Sequence, residues 1–554
     1  MKDLIKSISK NEWQFAALMS LVIILITSLP YLYAYFMASP GLVYNGLHAL
    51  SPGDIPVYYS YIDQIKSGDF LVKDLFTNEP QTIGTFNVWW TLVGLLAKIF
   101  DLSPILVFQL ARVLMIPVFV FVAYAFISYF FSEAKKRKLC LLFLLFSSGL
   151  GFYLAGNVSL NNFRSEAIYW WPIDLWLTEA NTFNTLYQTS HFIASITLMI
   201  SIFLLMLLAF GKNKFSYAVI SGILALFYFN FHPYYLPVIF GALGLYLLVL
   251  MIQENKFLWK RAGYLITVFI ISLPAIIYHV WLIQNSEVIA RRALQNVTLI
   301  SPIFFVFMGY GFLWLGFLLG LFFLVKNKKL DNRFLFLLIW FLVNIVLIYS
   351  PFPFHSRYTQ GLHIILVIFT VVGFFELYDY LRIKMKPKTF DFWVNNPFLL
   401  GMIFLVLFLP STLFSVSRDI YHFTYQPPLV KEKFYLEKDF LAAASWLRNA
   451  PLPGGVFSAE LSARFLPGFS GRTVYLAHDH ETLFFDAKLM YVFWFYKDNQ
   501  NDEAKKNFLQ TQGIDYVFYG RYEKELGSFD PAQEDYLKLV FNTPKIQIYE
   551  VVIN

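Results

Sequence analysis

The feature that most constrains this chain is its series of apolar runs. They fall at 15–36, 104–131, 139–155, 191–210, 215–229, 235–251, 262–282, 302–325, 334–349, 362–381 and 397–416. Each is close to the roughly 17–25 residues that a helix needs to cross a hydrocarbon layer, so about eleven spans are expected. Each must be helical, because a backbone in lipid has no water to satisfy its N–H and C=O groups. Only 14% of the residues are charged and 58% are hydrophobic, against about 25% charged in a soluble domain. That excludes an ordinary soluble enzyme. The net charge of +7 is explained by Lys and Arg in loops on one side of a membrane, not by nucleic-acid binding. The single cysteine, Cys140, excludes an intrachain disulfide and a cysteine-based metal site. The first run follows Lys2, Lys6 and Lys10. It is longer than a signal-peptide core and has no clean small-residue cleavage site, so it reads as an uncleaved span.

The basic residues orient the bundle. They cluster at Lys2/Lys6/Lys10, 135–138, Lys212/Lys214, Lys256/Lys260/Arg261, Lys326/Lys328/Lys329/Arg333 and Arg382/Lys384/Lys386/Lys388. All fall on one side provided that the short apolar segment 89–100 does not cross. Its Trp89-Trp90 pair and Lys98 suit a helix lying in the interface. The expected topology has a cytoplasmic N-terminus and places the segment after residue 416 outside, in the plasma (inner) membrane of a cell envelope. From about Arg418 the long apolar runs stop. A helix over 439–449, strands at 455–459, 514–519 and 546–553, and helices over 483–496 and 502–511 make 417–554 an extracytoplasmic α/β domain. Residues 1–416 form the transmembrane domain, with a first outer loop at 38–103.

The outward loops then carry the polar groups. The first is acidic, with Asp54, Asp63, Asp69, Asp74 and Glu79. The loop at 156–190 holds Arg164, Glu166, Asp174 and Glu179, and His191 follows it. Further on come His232-Pro233, Glu287 with Arg291-Arg292, and the segment His355-Ser-Arg357-Tyr358.

This arrangement resembles the GT-C superfamily of membrane glycosyltransferases, which includes protein mannosyltransferases, aminoarabinose transferases and the catalytic subunit of oligosaccharyltransferase. The likeness rests on several features: one span, then Gly53-Asp54 followed by Tyr58-Tyr59-x-Tyr61-Ile62 in an outer loop; an interfacial helix at 89–100; Arg112 early in the second span; and a soluble domain after the last span. The resemblance implies transfer of a sugar from a polyprenyl-phosphate carrier to a lipid, glycan or protein hydroxyl on the outer side, with inversion. Asp54 would then be the general base; the bland reading is a helix N-cap. Arg357, Arg291, Arg292 and Arg112 are candidates for holding the donor phosphate; the bland readings are interfacial anchors, a surface pair with Glu287, and a satisfied interior cation. Asp174, Glu179, His191, His232 and His355 are pocket candidates, or polar groups satisfied within the fold. His478-Asp-His-Glu481 reads as a pocket rim or a plain loop, since adjacent side chains do not converge on a metal. Family members with a D-x-D pair use it to bind a divalent metal. The outward loops here have none, so a metal-free mechanism is expected, with a divalent metal as the alternative. The rival readings are a transporter or flippase of lipid-linked sugar and a non-catalytic scaffold. Transporters carry ionisable groups near mid-span and repeated halves, and neither feature is evident here.

Overall fold

A computed structural model describes residues 1–48, 53–154, 170–384, 396–425 and 433–552. Arg164, Glu166, Lys386 and Lys388 lie outside the described residues. Seven helices are long and apolar enough to cross a membrane, or up to nine if each of two bent pairs is one span. Two more apolar helices, Phe215–Phe231 and Asn332–Ile348, have 17 residues each and fall just short of that length test. Each apolar run of the sequence is therefore helical over most of its described residues, the run at 139–155 pausing between Phe146 and Gly151, and the protein is a polytopic α-helical membrane protein with a small C-terminal sheet region. The segment at 89–100 is a 12-residue helix, Val88–Ile99. At about 1.5 Å per residue it is too short to span.

Two of the expected spans are broken. Ile303–Tyr310 and Phe312–Lys326 meet at 76° and the pair around residue 409 at 51°. The first break falls on Gly311, whose φ of +49° suits a residue without a Cβ. The chain divides into two compact units. One comprises Met1–Leu32, Leu110–Tyr278 and Val297–Tyr421; the other comprises Tyr33–Gln109, His279–Asn296 and His422–Asn554.

The first unit is a helical bundle. Its tightest helix pair is Phe312–Lys326 against Leu362–Lys384. Gly316 and Gly320, four residues apart, lie against Thr370 and the backbone of Phe369. This small-xxx-small spacing lets two backbones approach where lipid supplies no hydrophobic drive. A Cβ on Gly320 would sit 2.1 Å from the Phe369 carbonyl oxygen. Gly320→Ala is expected to lower the thermal midpoint in detergent, at a cost of about 1–3 kcal/mol. Gly244→Ala, where nothing lies within 4 Å of the added carbon, should leave the midpoint unchanged or raise it.

The second unit joins the acidic loop to the C-terminal segment. β1 (Leu42–Tyr44) pairs antiparallel with β2 (Tyr435–Glu437). The Val474 N–H donates to the Leu75 carbonyl at 2.9 Å, and Arg448 Nη2 binds both oxygens of Asp63 at 2.8 and 2.9 Å. β3 (Gly455–Phe457), β4 (Ile514–Tyr519), β5 (Leu537–Asn542) and β6 (Gln547–Val551) form a mixed sheet in the order β3-β4-β6-β5, with only β3 and β4 parallel. Helices Phe485–Tyr496 and Asp502–Thr511 accompany it. The core between them holds Phe457, Phe495, Tyr496, Leu509, Val517 and Tyr549. In the acidic loop, helix Ile55–Ser67 has Pro56 in its first turn and stops at Gly68, whose φ is +118° and whose N–H returns to Gln64 and Ile65.

Candidate functional site

Asp54 immediately precedes helix Ile55–Ser67. Its side chain makes no capping hydrogen bond to that helix. Instead Oδ1 lies 3.4 Å from Nε2 of His478. The carboxylate is 43% exposed while the imidazole is 5% exposed, so a buried ring supports an accessible acid. The helix N-terminus adds a partial positive charge at the same place, which favours an anion there.

His478 is held by its own loop. The backbone N–H groups of His480 and Glu481 donate to Nδ1 at 3.1 and 3.3 Å. In the neutral ring the proton therefore sits on Nε2, facing Asp54. Burial pushes the His478 pKa down. The hydrogen bond and charge of Asp54, with the Glu481 and Asp479 carboxylates, outweigh burial and raise it above the ordinary imidazole range. Thr482 locks the loop in place: its hydroxyl accepts from the N–H groups of Ala477 and His478 and donates to the Phe76 carbonyl at 2.7 Å.

Next along is a compact charge cluster. Arg292, on helix Glu287–Gln295, donates from Nη1 to Glu481 Oε2 at 2.9 Å and to the Tyr61 hydroxyl at 3.2 Å. The same nitrogen is 3.8 Å from Asp74 Oδ2. Tyr61, Asp74, Gln81, Asn87 and Arg292 line a cavity of about 60 Å³, room for a few waters. Burial, reinforced by Glu481, pushes the Asp74 carboxyl up to about 7, with Arg292 pulling the other way. Its folded pKa thus lies above the unfolded value of about 3.9. Stability associated with Asp74 is fully present below about pH 4 and is lost as pH rises to about 7. Asp74→Asn should therefore flatten the stability profile between those values and raise the thermal midpoint above pH 7, as read by unfolding at pH 5 and pH 8.

The other acids of the first loop have different surroundings. Asp63 is buried against Arg448. It lies nine residues past Asp54, half a helical turn out of phase and so on the opposite helix face. Glu79 pairs with Lys488 at 2.7 Å, and Asp69 is exposed. Arg291 pairs with Glu287 at 2.7 Å and lies over the Phe484 ring. A separate open cavity of about 540 Å³, lined by Tyr435, Phe440, Phe465 and Phe518 among others, contains none of the candidate residues.

In the first unit Arg357 sits on the short turn Ser356–Thr359. It donates from Nη1 to Glu179 Oε1 at 2.6 Å, and its guanidinium lies 5.0 Å from the centre of the Phe192 ring. Glu179 is 1% exposed and its Oε2 has no hydrogen-bond partner. The His191 and His232 rings are 5.3 Å apart, and His232 Nδ1 and the Tyr235 hydroxyl are likewise buried without partners. Burial pushes His232 far below its ordinary pKa, so the ring stays neutral. Asp174 is a staple: Oδ2 accepts from the N–H groups of Gly149 and Gly151, each at 3.1 Å. Arg112 is buried, donates to Thr27, Ser28 and the Leu186 carbonyl, and lies over Tyr31. His355 closes its own loop onto the Ser350 carbonyl at 2.8 Å.

Two residues of interest were read differently from the sequence: His478 only as part of a pocket rim or plain loop, and Arg418 only as the point where the long apolar runs stop. His478 is separated from Asp54 by more than four hundred residues, and no spacing signal links them. Arg418 is 6% exposed, with Nε and Nη2 lacking hydrogen-bond partners. Its signal was a charge just two positions past the last apolar run.

Among the described residues no group of three or more His, Cys, Asp or Glu side chains is arranged to hold a metal ion. Asp479 approaches the Nδ1 side of His478, away from Asp54, and Asp74 and Glu481 face Arg292.

No family model matches the chain, and no curated protein is significantly similar. Solved structures do match. The Archaeoglobus fulgidus oligosaccharyltransferase, crystallised with a tethered acceptor peptide containing the NVT sequon, is 13% identical; the match covers 91% of this chain and 69% of that one, with a TM-score of 0.50. The arabinofuranosyltransferase AftD from Mycobacteria is 10% identical over 98% of this chain and 42% of its own, with a TM-score of 0.52. At these identities the likeness is one of fold. The protein has the GT-C fold, that of polytopic membrane glycosyltransferases.

Proposed function

We propose that this chain is an inverting glycosyltransferase that moves a sugar from a polyprenyl-phosphate donor to an acceptor hydroxyl, without a metal, at the extracytoplasmic face of the plasma membrane. The observation that carries this reading is the half-exposed Asp54 carboxylate resting on a buried, loop-locked imidazole. Asp54 takes the proton from the acceptor hydroxyl, and the oxygen attacks the anomeric carbon from the face opposite the phosphate. The sugar–phosphate bond breaks and polyprenyl phosphate leaves with the bonding electrons. The proton on Asp54 then passes to solvent. His478 keeps the carboxylate aimed through Nε2–H; the present 3.4 Å contact is of the kind that tightens once substrate is bound.

Arg357 is the proposed holder of the donor phosphate. One of its nitrogens is engaged by Glu179, and a guanidinium has five N–H donors. Arg292 is bound up with Glu481 and Asp74, so its assigned part is to fix the loop that carries His478. The apolar spans supply a route by which a lipid-borne donor reaches the protein from the bilayer.

The test uses the purified protein and a donor of defined anomeric configuration. The product is expected to carry the opposite configuration, read by NMR of the transferred sugar. Retention would contradict a single displacement. His478→Gln keeps a donor toward Asp54 and should retain most of the rate, whereas His478→Ala should lower kcat with little change in donor KM.

A further inference from the structure

A cavity of about 610 Å³ in the helical unit opens at the lysine-rich ends of the spans and takes no part in the proposed reaction. Its floor is apolar: Phe130, Phe131, Phe334 and Phe375 are each more than nine-tenths buried. Its rim carries Lys136, Lys328, Lys329 and Arg333, drawn from three separate segments.

Three of these cations have carboxylate partners on the same rim. Lys136 meets Glu133 at 2.6 Å, Lys329 meets Glu376 at 2.7 Å and Arg333 meets Asp331 at 2.6 Å. Lys328 has no ion-pair partner among the described residues. The rim is therefore left with one excess positive charge above a greasy floor. That pattern matches a phosphodiester carrying a single negative charge and attached to acyl chains.

The backbone adds a second, independent observation. Lys328 follows the C-terminus of helix Phe312–Lys326 and has φ of +55°. The Lys328 and Lys329 N–H groups return to the Val325 and Leu324 carbonyls. This left-handed position after a helix is normally filled by Gly or Asn, because other side chains strain there. A lysine stands there in spite of that cost. Basic pockets between spans are where anionic lipid headgroups bind.

We infer that this cleft binds the phosphodiester headgroup of an anionic phospholipid, with Lys328 as the residue that neutralises it. The test titrates phosphatidylglycerol into the delipidated full-length protein in zwitterionic detergent and counts bound lipid by native mass spectrometry. Phosphatidylcholine serves as the uncharged comparison and inorganic phosphate as the competitor. Wild type should retain phosphatidylglycerol in preference to phosphatidylcholine, and inorganic phosphate should not displace it. Lys328→Gly, which removes the amine and also relieves the backbone, should weaken binding about fivefold without lowering the lipid-free thermal midpoint. Lys260→Gln, a basic residue outside the cleft, should bind as wild type does. Equal binding of phosphatidylcholine, displacement by inorganic phosphate, or equal losses in Lys260→Gln and Lys328→Gly would each overturn the inference.

Discussion

Replacing Asp54 by Asn is expected to lower the transfer rate by about 10²–10⁴-fold, the usual contribution of a positioned general base. The amide can still accept the proton from His478 Nε2, so the local geometry survives and basicity alone is lost. The fold should be indifferent: the side chain is 43% exposed and makes no capping bond, so an unchanged thermal midpoint accompanies the lost rate. Asp63→Asn should behave in the opposite way. That carboxylate is buried in a pair with Arg448, so the substitution weakens the fold, and whatever protein remains folded should turn over normally. If Asp54→Asn is fully active and Asp63→Asn is folded but inactive, the base is misassigned.

Arg292→Ala is expected to have the largest effect on stability. It leaves Glu481 and Asp74 facing each other with no cation between them. Breaking a buried ion pair costs about 3 kcal/mol at the low end of the known range; the low end applies because the guanidinium is 22% exposed. The thermal midpoint should fall by several degrees. The loss should shrink at pH 5, where protonation relieves the repulsion. Adding Glu481→Gln should recover part of it. Because the loop carrying His478 loses its anchor, kcat should fall as well, and the double variant should recover some rate along with stability. A midpoint that is unchanged at both pH values would contradict the account of this cluster.

The membrane architecture was legible because lipid imposes one rule on every span. Long apolar runs must be helices. The segment at 89–100 was kept out of the expected span count, and it is a helix of only 12 residues. The breaks within the spans were not legible. Gly311 sits in an apolar run that reads continuously, and only its backbone angle reveals the 76° bend. In the C-terminal segment, strands with clear apolar patterning could be read. β5 could not, because it lies at the sheet edge and its register shifts between Leu539 and Phe541.

Site residues were legible by type and less so by partner. Asp54 stood out as an acid in a greasy chain, yet its neighbour His478 comes from the far end of the sequence. Arg291 and Arg292 looked alike, being adjacent and equally charged. Helical geometry turns them about 100° apart, one toward the exposed Glu287 and the other into the Asp74–Glu481 cluster. No local pattern encodes that difference.

The central claim, that this protein breaks a sugar–phosphate bond and does not merely carry a lipid-linked sugar, is tested most directly by following a doubly labelled polyprenyl-phosphate sugar in proteoliposomes with an acceptor present. The account predicts that the two labels separate: polyprenyl phosphate accumulates in step with glycosylated acceptor, and both fail to appear with Asp54→Asn. Labels that stay together while the intact lipid changes leaflet would contradict it.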